Sequence, residues 1–171
     1  DQPRSRGLGD VYKRQASVTF SNLGTYASTY RHLQLRMIAK STGSGSGGMG
    51  VGWMRLNGDS AGNYNRHFLY GQNNTVFSDP STNATEMELF NPVNADVANA
   101  FGAGVTDILD AFTTTKNTTI RTFMGANASS PRIGLQSGAW RNTASITSIT
   151  LGLYLSASYV AGSRFSLYGV K

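Results

Sequence analysis

Two segments near the end of the chain, Ser145–Leu151 and Ala161–Lys171, alternate polar and apolar residues. A period of two places alternate side chains on opposite faces, as a β-strand with one buried face requires. The same alternation recurs through most of the chain. It is the feature that most restricts the fold, because a helix would scatter these apolar residues around its axis.

Short strand-like segments separated by turn residues predict an all-β fold. The clearest one, Arg31–Lys40, directs four apolar side chains to one face, namely Leu33, Leu35, Met37 and Ala39. Asn57-Gly58 predicts a tight turn because both residues tolerate a positive φ. Roughly nine or ten such segments, with Asn94–Phe101 as the one expected short helix, predict an antiparallel two-sheet β-sandwich resembling a jelly roll.

At 171 residues the chain has the length of one domain with a substantial core, and we expect a single domain over residues 16–171. The 171-residue chain has no cysteine, which excludes disulfides and thiol chemistry. Only 14% of the residues are charged, and the net charge of +6 is scattered without a basic run, so we expect no nucleic-acid partner. The sequence also lacks a run of about 18 apolar residues, so we expect no membrane insertion.

Residues 1–15 differ from the remainder in composition and show no period. The segment from Arg4 to Gln15 resembles a translated sequencing-adapter segment. We therefore expect residues 1–15 to be non-native or disordered and exclude them from fold reasoning. The alternative is a native flexible or partner-binding arm.

The sequence offers no catalytic, cofactor or metal constellation, so we expect a protein that is not an enzyme. His32 and His67 are the only histidines, and neither has carboxylates at ligand spacing. Glu86 and Glu88 fit a solvated strand face better than a catalytic carboxylate pair. The oxygen-rich loop 57–63 lacks the carboxylates of a calcium loop, which favours a turn.

Ligand or interface contacts are predicted for five side chains on strand-like segments: Trp53, Tyr64, His67, Tyr70 and Trp140. Tyr and Trp combine an apolar ring with a polar group, which suits contact with a sugar or with another protein. Binding variation is expected in three connecting segments, Thr42–Gly48, Gly58–Asn63 and Asn73–Thr82.

An ordered set of short motifs carries a family resemblance. These motifs are Tyr30–Arg36, Leu56–Asp59 with Asn63-Tyr64, Asp107–Asp110, Ser137–Trp140, Ile146–Leu151 and Gly162–Gly169. In this order they resemble virion structural proteins of tailed bacteriophages, especially marine and environmental ones, over residues 17–171.

The resemblance implies a β-sandwich in a tail fibre, a tail tip or a capsid decoration. It further implies a virion location, contacts with other virion proteins and a homo-oligomer, with a trimer favoured. The alternative is a carbohydrate- or receptor-binding module that attaches to a host surface glycan. The resemblance brings no catalytic residues and no cofactor.

Overall fold

A computed structural model describes residues 5–10, 14–43, 50–89, 92–94 and 97–171, the first range by its backbone alone. Within these ranges the strands are, in chain order, β1 (Ser5–Asp10), β2 (Ser17–Phe20), β3 (His32–Ser41), β4 (Gly52–Leu56), β5 (Tyr64–Gln72), β6 (Thr75–Ala84), β7 (Met87–Glu88), β8 (Val93–Asn94), β9 (Gly102–Leu109), β10 (Thr118–Ala126), β11 (Arg132–Trp140), β12 (Ile149–Leu153) and β13 (Arg164–Val170).

These strands form two sheets that pack face to face, which confirms the predicted β-sandwich. The larger sheet has the order β1-β13-β3-β9-β10-β11-β5-β6, and β8 pairs with β3 in parallel. The smaller sheet has the order β2-β12-β4-β7. All other pairings are antiparallel.

One main core lies between the inner faces of the two sheets. The larger sheet contributes Leu35, Ile108 and Phe165, and the smaller sheet contributes Met54 and Leu151; these side chains are fully buried. Alternation along β3 follows the prediction, because Leu33, Leu35, Met37 and Ala39 all point into this core. Burial of such side chains drives the two sheets together.

The two closing strands do not pair with each other. Strand β12 lies between β2 and β4 in the smaller sheet, whereas β13 lies between β1 and β3 in the larger sheet. Residues 154–163 therefore cross from one sheet to the other. Strand β13 lies within the predicted Ala161–Lys171, whereas β12 overlaps the predicted Ser145–Leu151 only at residues 149–151. Alternation along a strand also does not specify its neighbour.

The helix predicted over Asn94–Phe101 is wrong within the described residues. Asn94 ends β8, residues 97–100 form a bend and turn, and residues 95–96 lie outside the described part. Asn99 has a φ of 56°, which stops a right-handed helix. Helical structure in the described ranges is a single 3-10 turn at Leu23–Tyr26.

The backbone of β1 lies at the edge of the larger sheet, hydrogen-bonded antiparallel to β13. Within Ser5–Asp10 the chain is therefore a paired strand rather than an irregular arm. The remainder of residues 1–13 lies outside the described part. The non-native origin of this segment stays a prediction.

Candidate functional site

Tyr64 and Trp140 lie directly opposite each other on β5 and β11, as a cross-strand pair on the inner face of the larger sheet. Both side chains are buried, at 0% and 1% exposure. Their polar atoms bind inside the protein: the Tyr64 hydroxyl accepts a hydrogen bond from the Leu56 amide at 2.9 Å and donates to the Asp59 carbonyl oxygen at 3.2 Å. Burial raises the pKa of Tyr64 to about 12. The pair holds the loop 57–63 in place through these polar atoms, and neither buried ring is accessible to a ligand.

The loop 57–63 closes around the Asp59 carboxylate. That carboxylate accepts hydrogen bonds from the Trp140 indole nitrogen at 2.7 Å and from the Asn63 side chain and the Ala61 amide, each at 2.9 Å. Burial alone would raise the pKa of Asp59, but these hydrogen bonds outweigh it and hold the pKa below its usual range. Both carboxylate oxygens accept hydrogen bonds from nitrogen donors, so the loop is a turn closed by hydrogen bonds. The sequence analysis favoured a turn here.

Trp53 lies on the face of the smaller sheet that points away from the core. Its indole packs so closely on Gly152 that a Cβ built there would come within 2.2 Å of the ring. The Arg55 guanidinium carbon lies 4.8 Å from the centre of the same ring. The Gly152 backbone and the Arg55 guanidinium therefore both pack against this half-buried ring.

The carboxylates of Glu86 and Glu88 are half-buried and ion-paired, which corrects the prediction of a solvated strand face. Glu86 bonds Arg55 at 2.7 Å and accepts from the Tyr154 hydroxyl at 3.0 Å. Glu88 lies 2.8 Å from the Arg66 guanidinium. Burial raises the pKa of Glu88 despite Arg66. A bend at residues 85–86 followed by the short strand β7 places both carboxylates against the sandwich. The sequence could not show this placement.

The two histidines are separate. His67 is exposed on β5, and its Nε2 lies 2.7 Å from the Ser78 hydroxyl. His32 Nδ1 accepts the Asp110 amide hydrogen at 2.8 Å. Among the described residues no group of three or more His, Asp or Glu side chains could hold a metal ion. The described part also contains no helix long and apolar enough to cross a membrane.

Tyr70 belongs to an aromatic cluster on the inner face of the larger sheet. Its ring stacks on Phe77 with centres 4.9 Å apart and planes 17° apart, and Phe68 lies 5.1 Å away on the other side along β5. The Arg132 guanidinium carbon lies 4.6 Å from the Tyr70 ring centre, and Arg132 donates a 2.5 Å hydrogen bond to the Gln72 side chain. We call Phe68, Tyr70, Gln72, Phe77 and Arg132 the inner corner.

Exposure increases across the inner corner toward the sheet edge. Phe68 is buried at 3%, Tyr70 is half-buried and Phe77 on the edge strand β6 is 40% exposed. The smaller sheet covers the other end of β5, where Met87 would contact a Cβ placed on Gly138 and Glu88 pairs with Arg66. The inner corner is therefore an aromatic surface that is buried at Phe68 and exposed to solvent at Phe77.

A second exposed apolar surface lies on the outer face of the larger sheet, turned away from the smaller sheet. It contains seven side chains on six strands, with exposures from 36% to 73%: Ile38, Leu69, Val76, Val105, Phe123, Ile133 and Leu135. We call this set the outer patch. Single exposed apolar residues are common, but a contiguous set marks a surface that contacts another molecule.

Strand register shows that the outer patch is contiguous. Val105, Phe123, Leu135 and Leu69 are successive cross-strand partners on β9, β10, β11 and β5. The adjacent row joins Ile38 and Ala103, continues through Gly125 to Ile133, and ends at Gly71 and Val76. The small residues in this row leave a shallow groove between the larger side chains.

The next row of the outer face is polar and delimits the patch. The Asp107 carboxylate accepts hydrogen bonds from Gln34 and Arg121, both at 2.9 Å. Arg36 reaches the Gln34 side-chain oxygen at 3.0 Å, and its guanidinium lies 5.0 Å from the Tyr168 ring centre. The outer face thus combines an apolar area with an ordered polar border, the arrangement found in protein–protein interfaces.

The three segments expected to carry binding variation have different outcomes. Gly58–Asn63 is a loop, held by Asp59 as described above. Asn73–Thr82 is not a loop: only Asn73 and Asn74 form a turn, and the rest lies in β6. Thr42–Gly48 falls largely outside the described residues. The polar residues of β6 suggest a loop, but an edge strand tolerates polar side chains on both faces.

Comparisons with known proteins identify no family. A scan against protein-family models and a search of the curated proteins found no match. A solved structure similar to this chain is the crystal structure of Scytalido-glutamic peptidase with a peptide-based transition state analogue, with a TM-score of 0.30 and 9% identity. The alignment covers 95% of this chain and 66% of that chain. A similarity at this level carries no argument about activity.

Five predicted contact residues thus occupy four different places. Tyr64 and Trp140 meet in the core, Trp53 lies on the smaller sheet, His67 is on the outer face and Tyr70 is in the inner corner. Sequence reasoning missed the outer patch and the partners of Tyr70. The signal that could have found part of the patch is the spacing of Ile133 and Leu135 at i and i+2, but apolar residues at this spacing are usually taken to point inward.

Proposed function

We propose that this chain is a non-catalytic structural protein that assembles into a homo-oligomer through the outer patch. The single observation that carries the proposal is the contiguous apolar face of the larger sheet. Together its seven side chains present on the order of 600 Å² to solvent, at the upper end of the largest patch on a typical monomer. The patch alone therefore supplies most of the area of about 800 Å² per partner that a stable interface needs.

The second copy of the chain is the proposed occupant of the patch. The patch is apolar at its centre, where Phe123 lies among aliphatic side chains, and it has a charged border, as subunit interfaces do. Association by strand addition at β6 is disfavoured, because Pro80 has no amide hydrogen and Asp79 adds a charge to that edge. Face-to-face contact therefore buries apolar surface where edge pairing would not.

We also propose a virion location, and the support for it is the sequence resemblance to tailed-bacteriophage structural proteins. The proposed assembly is a trimer in a tail fibre, a tail tip or a capsid decoration, in contact with other virion proteins. Burial of the outer patch between copies would stabilise a chain that has no disulfide.

The test is the mass of the full chain in solution, measured by light scattering after size exclusion at micromolar concentration. We expect a trimer for the unmodified chain and a monomer for Phe123→Asp, because a carboxylate at the centre of the patch would be buried without a partner. Leu155→Asp is the matched control: Leu155 is 92% exposed and lies outside the patch.

Three results would contradict the proposal. These are a strictly monomeric unmodified chain, a Phe123→Asp variant that keeps its oligomeric state, and a Leu155→Asp variant that loses it. Far-UV circular dichroism of each variant separates a lost interface from a lost fold.

A further inference from the structure

We propose that the inner corner is a binding site for a pyranose saccharide, in which the sugar ring packs beside Phe77 and Tyr70 while Arg132 and Gln72 bind its hydroxyl groups. This inference goes beyond the assembly role and does not depend on it, because the inner corner and the outer patch are on opposite faces of the sheet. It also differs from the sequence prediction, which selected Tyr70 but none of its partners.

The aromatic part of the site is already assembled. Tyr70 and Phe77 are direct cross-strand partners on β5 and β6, and their rings are nearly parallel. Phe68 supports Tyr70 from the buried side, where the bare backbone of Gly134 makes room for the Phe68 ring: a Cβ there would lie 2.6 Å from it. A preformed aromatic wall binds a ligand without the entropy cost of ordering it.

The polar part of the site is fixed in position as well. The Arg132 guanidinium is held both by the hydrogen bond to Gln72 and by its contact with the Tyr70 ring. A guanidinium has five donors in one plane, and the amide of Gln72 adds donors of its own. Two neighbouring hydroxyl groups on a pyranose ring match such a planar pair of donors.

A charged border lies one row further along β5. Arg66 pairs with Asp79 at 3.0 Å and with Glu88 at 2.8 Å. Asp79 is the residue opposite Phe68 on the edge strand, and its side chain is 52% exposed. A carboxylate at this position can accept hydrogen bonds from sugar hydroxyls that the guanidinium does not reach.

The choice of a saccharide over a protein segment follows from comparison with the outer patch. Six of the seven side chains of the outer patch are aliphatic, Phe123 is its one aromatic ring, and none of the seven has a hydrogen-bonding group. The inner corner has aromatic rings with guanidinium, amide and carboxylate groups at their edges. A small ligand site combines such an apolar surface with a few placed polar groups. A sugar has apolar C–H groups on its ring faces and hydroxyls at its rim, and therefore fits both parts.

The experiment is a titration of the ¹⁵N-labelled full chain with six saccharides, one at a time: glucose, galactose, mannose, rhamnose, N-acetylglucosamine and glucuronic acid. Each saccharide is added to concentrations well above about 1 mM, so that a weak dissociation constant of this size is still detected. We expect at least one saccharide to shift amide signals of β5, β6 and β11 around Tyr70, Phe77 and Arg132. The amides of the outer-face polar row, such as Asp107, should stay unchanged.

Two variants and a control assign the shifts to the site. Phe77→Ala should weaken binding at least tenfold, and Arg132→Lys should weaken it several-fold because it keeps the charge but loses the planar donors. Phe101→Ala is the matched control, since Phe101 is 37% exposed and lies elsewhere in the fold. Its affinity should equal that of the unmodified chain.

Several results would overturn the proposal: no saccharide of the panel shifts the inner corner, binding survives Phe77→Ala, or Phe101→Ala weakens binding equally. Because the readout is local, a monomeric chain that still binds the sugar would reject the assembly role and leave this inference standing. An assembled chain that binds no sugar would reject the saccharide site and leave the assembly role standing.

Discussion

The two faces of the larger sheet are formed by the same strands but differ in burial. On β10, Ile120, Thr122 and Met124 point inward and are at most 3% exposed, whereas Phe123 points outward and is 52% exposed. On β11 the pattern is reversed, because Gly134 and Gln136 point inward while Ile133 and Leu135 face solvent. Alternation therefore identifies which residues share a face, and hydrophobicity alone does not identify the buried face.

The inner face is also less apolar than a simple core. The Thr106 and Thr122 hydroxyls lie 2.8 Å apart in one buried row, and the Gln136 side chain in the same row lies 3.0 Å from the Met87 sulfur. Buried polar groups are tolerated where they find partners. The inner face therefore packs as the core although it contains polar residues, whereas the outer face carries exposed apolar residues.

The largest difference between the faces should appear in the stability of core and patch variants of β10. We expect Ile120→Ala to lower the free energy of unfolding by about 3 kcal/mol, because it leaves a cavity in the main core. Phe123→Ala should cost less than about 1 kcal/mol in the monomer, since half of its side chain already meets water. Urea unfolding at the lowest workable concentration measures both, and equal losses would contradict the assignment of faces.

A smaller effect is expected at the buried pair Tyr64 and Trp140. Trp140→Phe removes the donor to the Asp59 carboxylate and should lower the free energy of unfolding by about 1–2 kcal/mol at neutral pH. Because the folded-state pKa of Asp59 lies below its usual 3.8, this stabilisation is present above that pH and is lost as the pH falls through the lowered value.

The pH dependence provides the control for that variant. Unfolding of the unmodified chain and of Trp140→Phe is compared at pH 7 and at successively lower pH values. The difference between them should shrink as the pH falls from 3.8 through the lowered pKa of Asp59, because the carboxylate of the folded chain becomes protonated there. A difference that stays constant on acidification would show that the indole matters through packing alone.

The smallest effect is expected in the polar border of the outer face. Asp107→Asn weakens the contact with Arg121, whose side chain is 67% exposed, so the loss should be about 0.5 kcal/mol or less. Adding salt should reduce it further, because exposed ion pairs are screened. A loss of several kcal/mol in the free energy of unfolding, unaffected by salt, would show that this polar border is buried rather than exposed.

The prediction of the fold succeeded where local pattern and long-range packing agree. Alternation in β3 predicted one face of four apolar side chains, and all four lie in the core. It failed for Asn94–Phe101, where Asn94 ends β8 and the described residues 97–101 form an irregular connection, and for Asn73–Thr82, where a polar edge strand resembles a loop. In both segments tertiary contacts decide the structure.

The candidate site was less accessible to sequence reasoning. Choosing exposed aromatics by residue type selected Tyr70, but it also selected Tyr64 and Trp140, which are among the most buried side chains. A large aromatic ring with a polar atom fits a surface site and a hydrogen-bonded core position equally well. The partner Phe77 lies in a segment interpreted as a loop, so its stacking on Tyr70 could not be predicted.

The sequence by itself determined that this chain is all-β, because a period of two is a local property that each strand carries in its own residues. It also determined the Asn57-Gly58 turn, since both residues adopt the required positive φ of 53° and 69°. Only the tertiary structure decided which neighbour each strand takes, which face is covered, and which exposed side chains meet. Those outcomes depend on contacts between residues far apart in the chain, and a fixed alternation is compatible with either face turned inward.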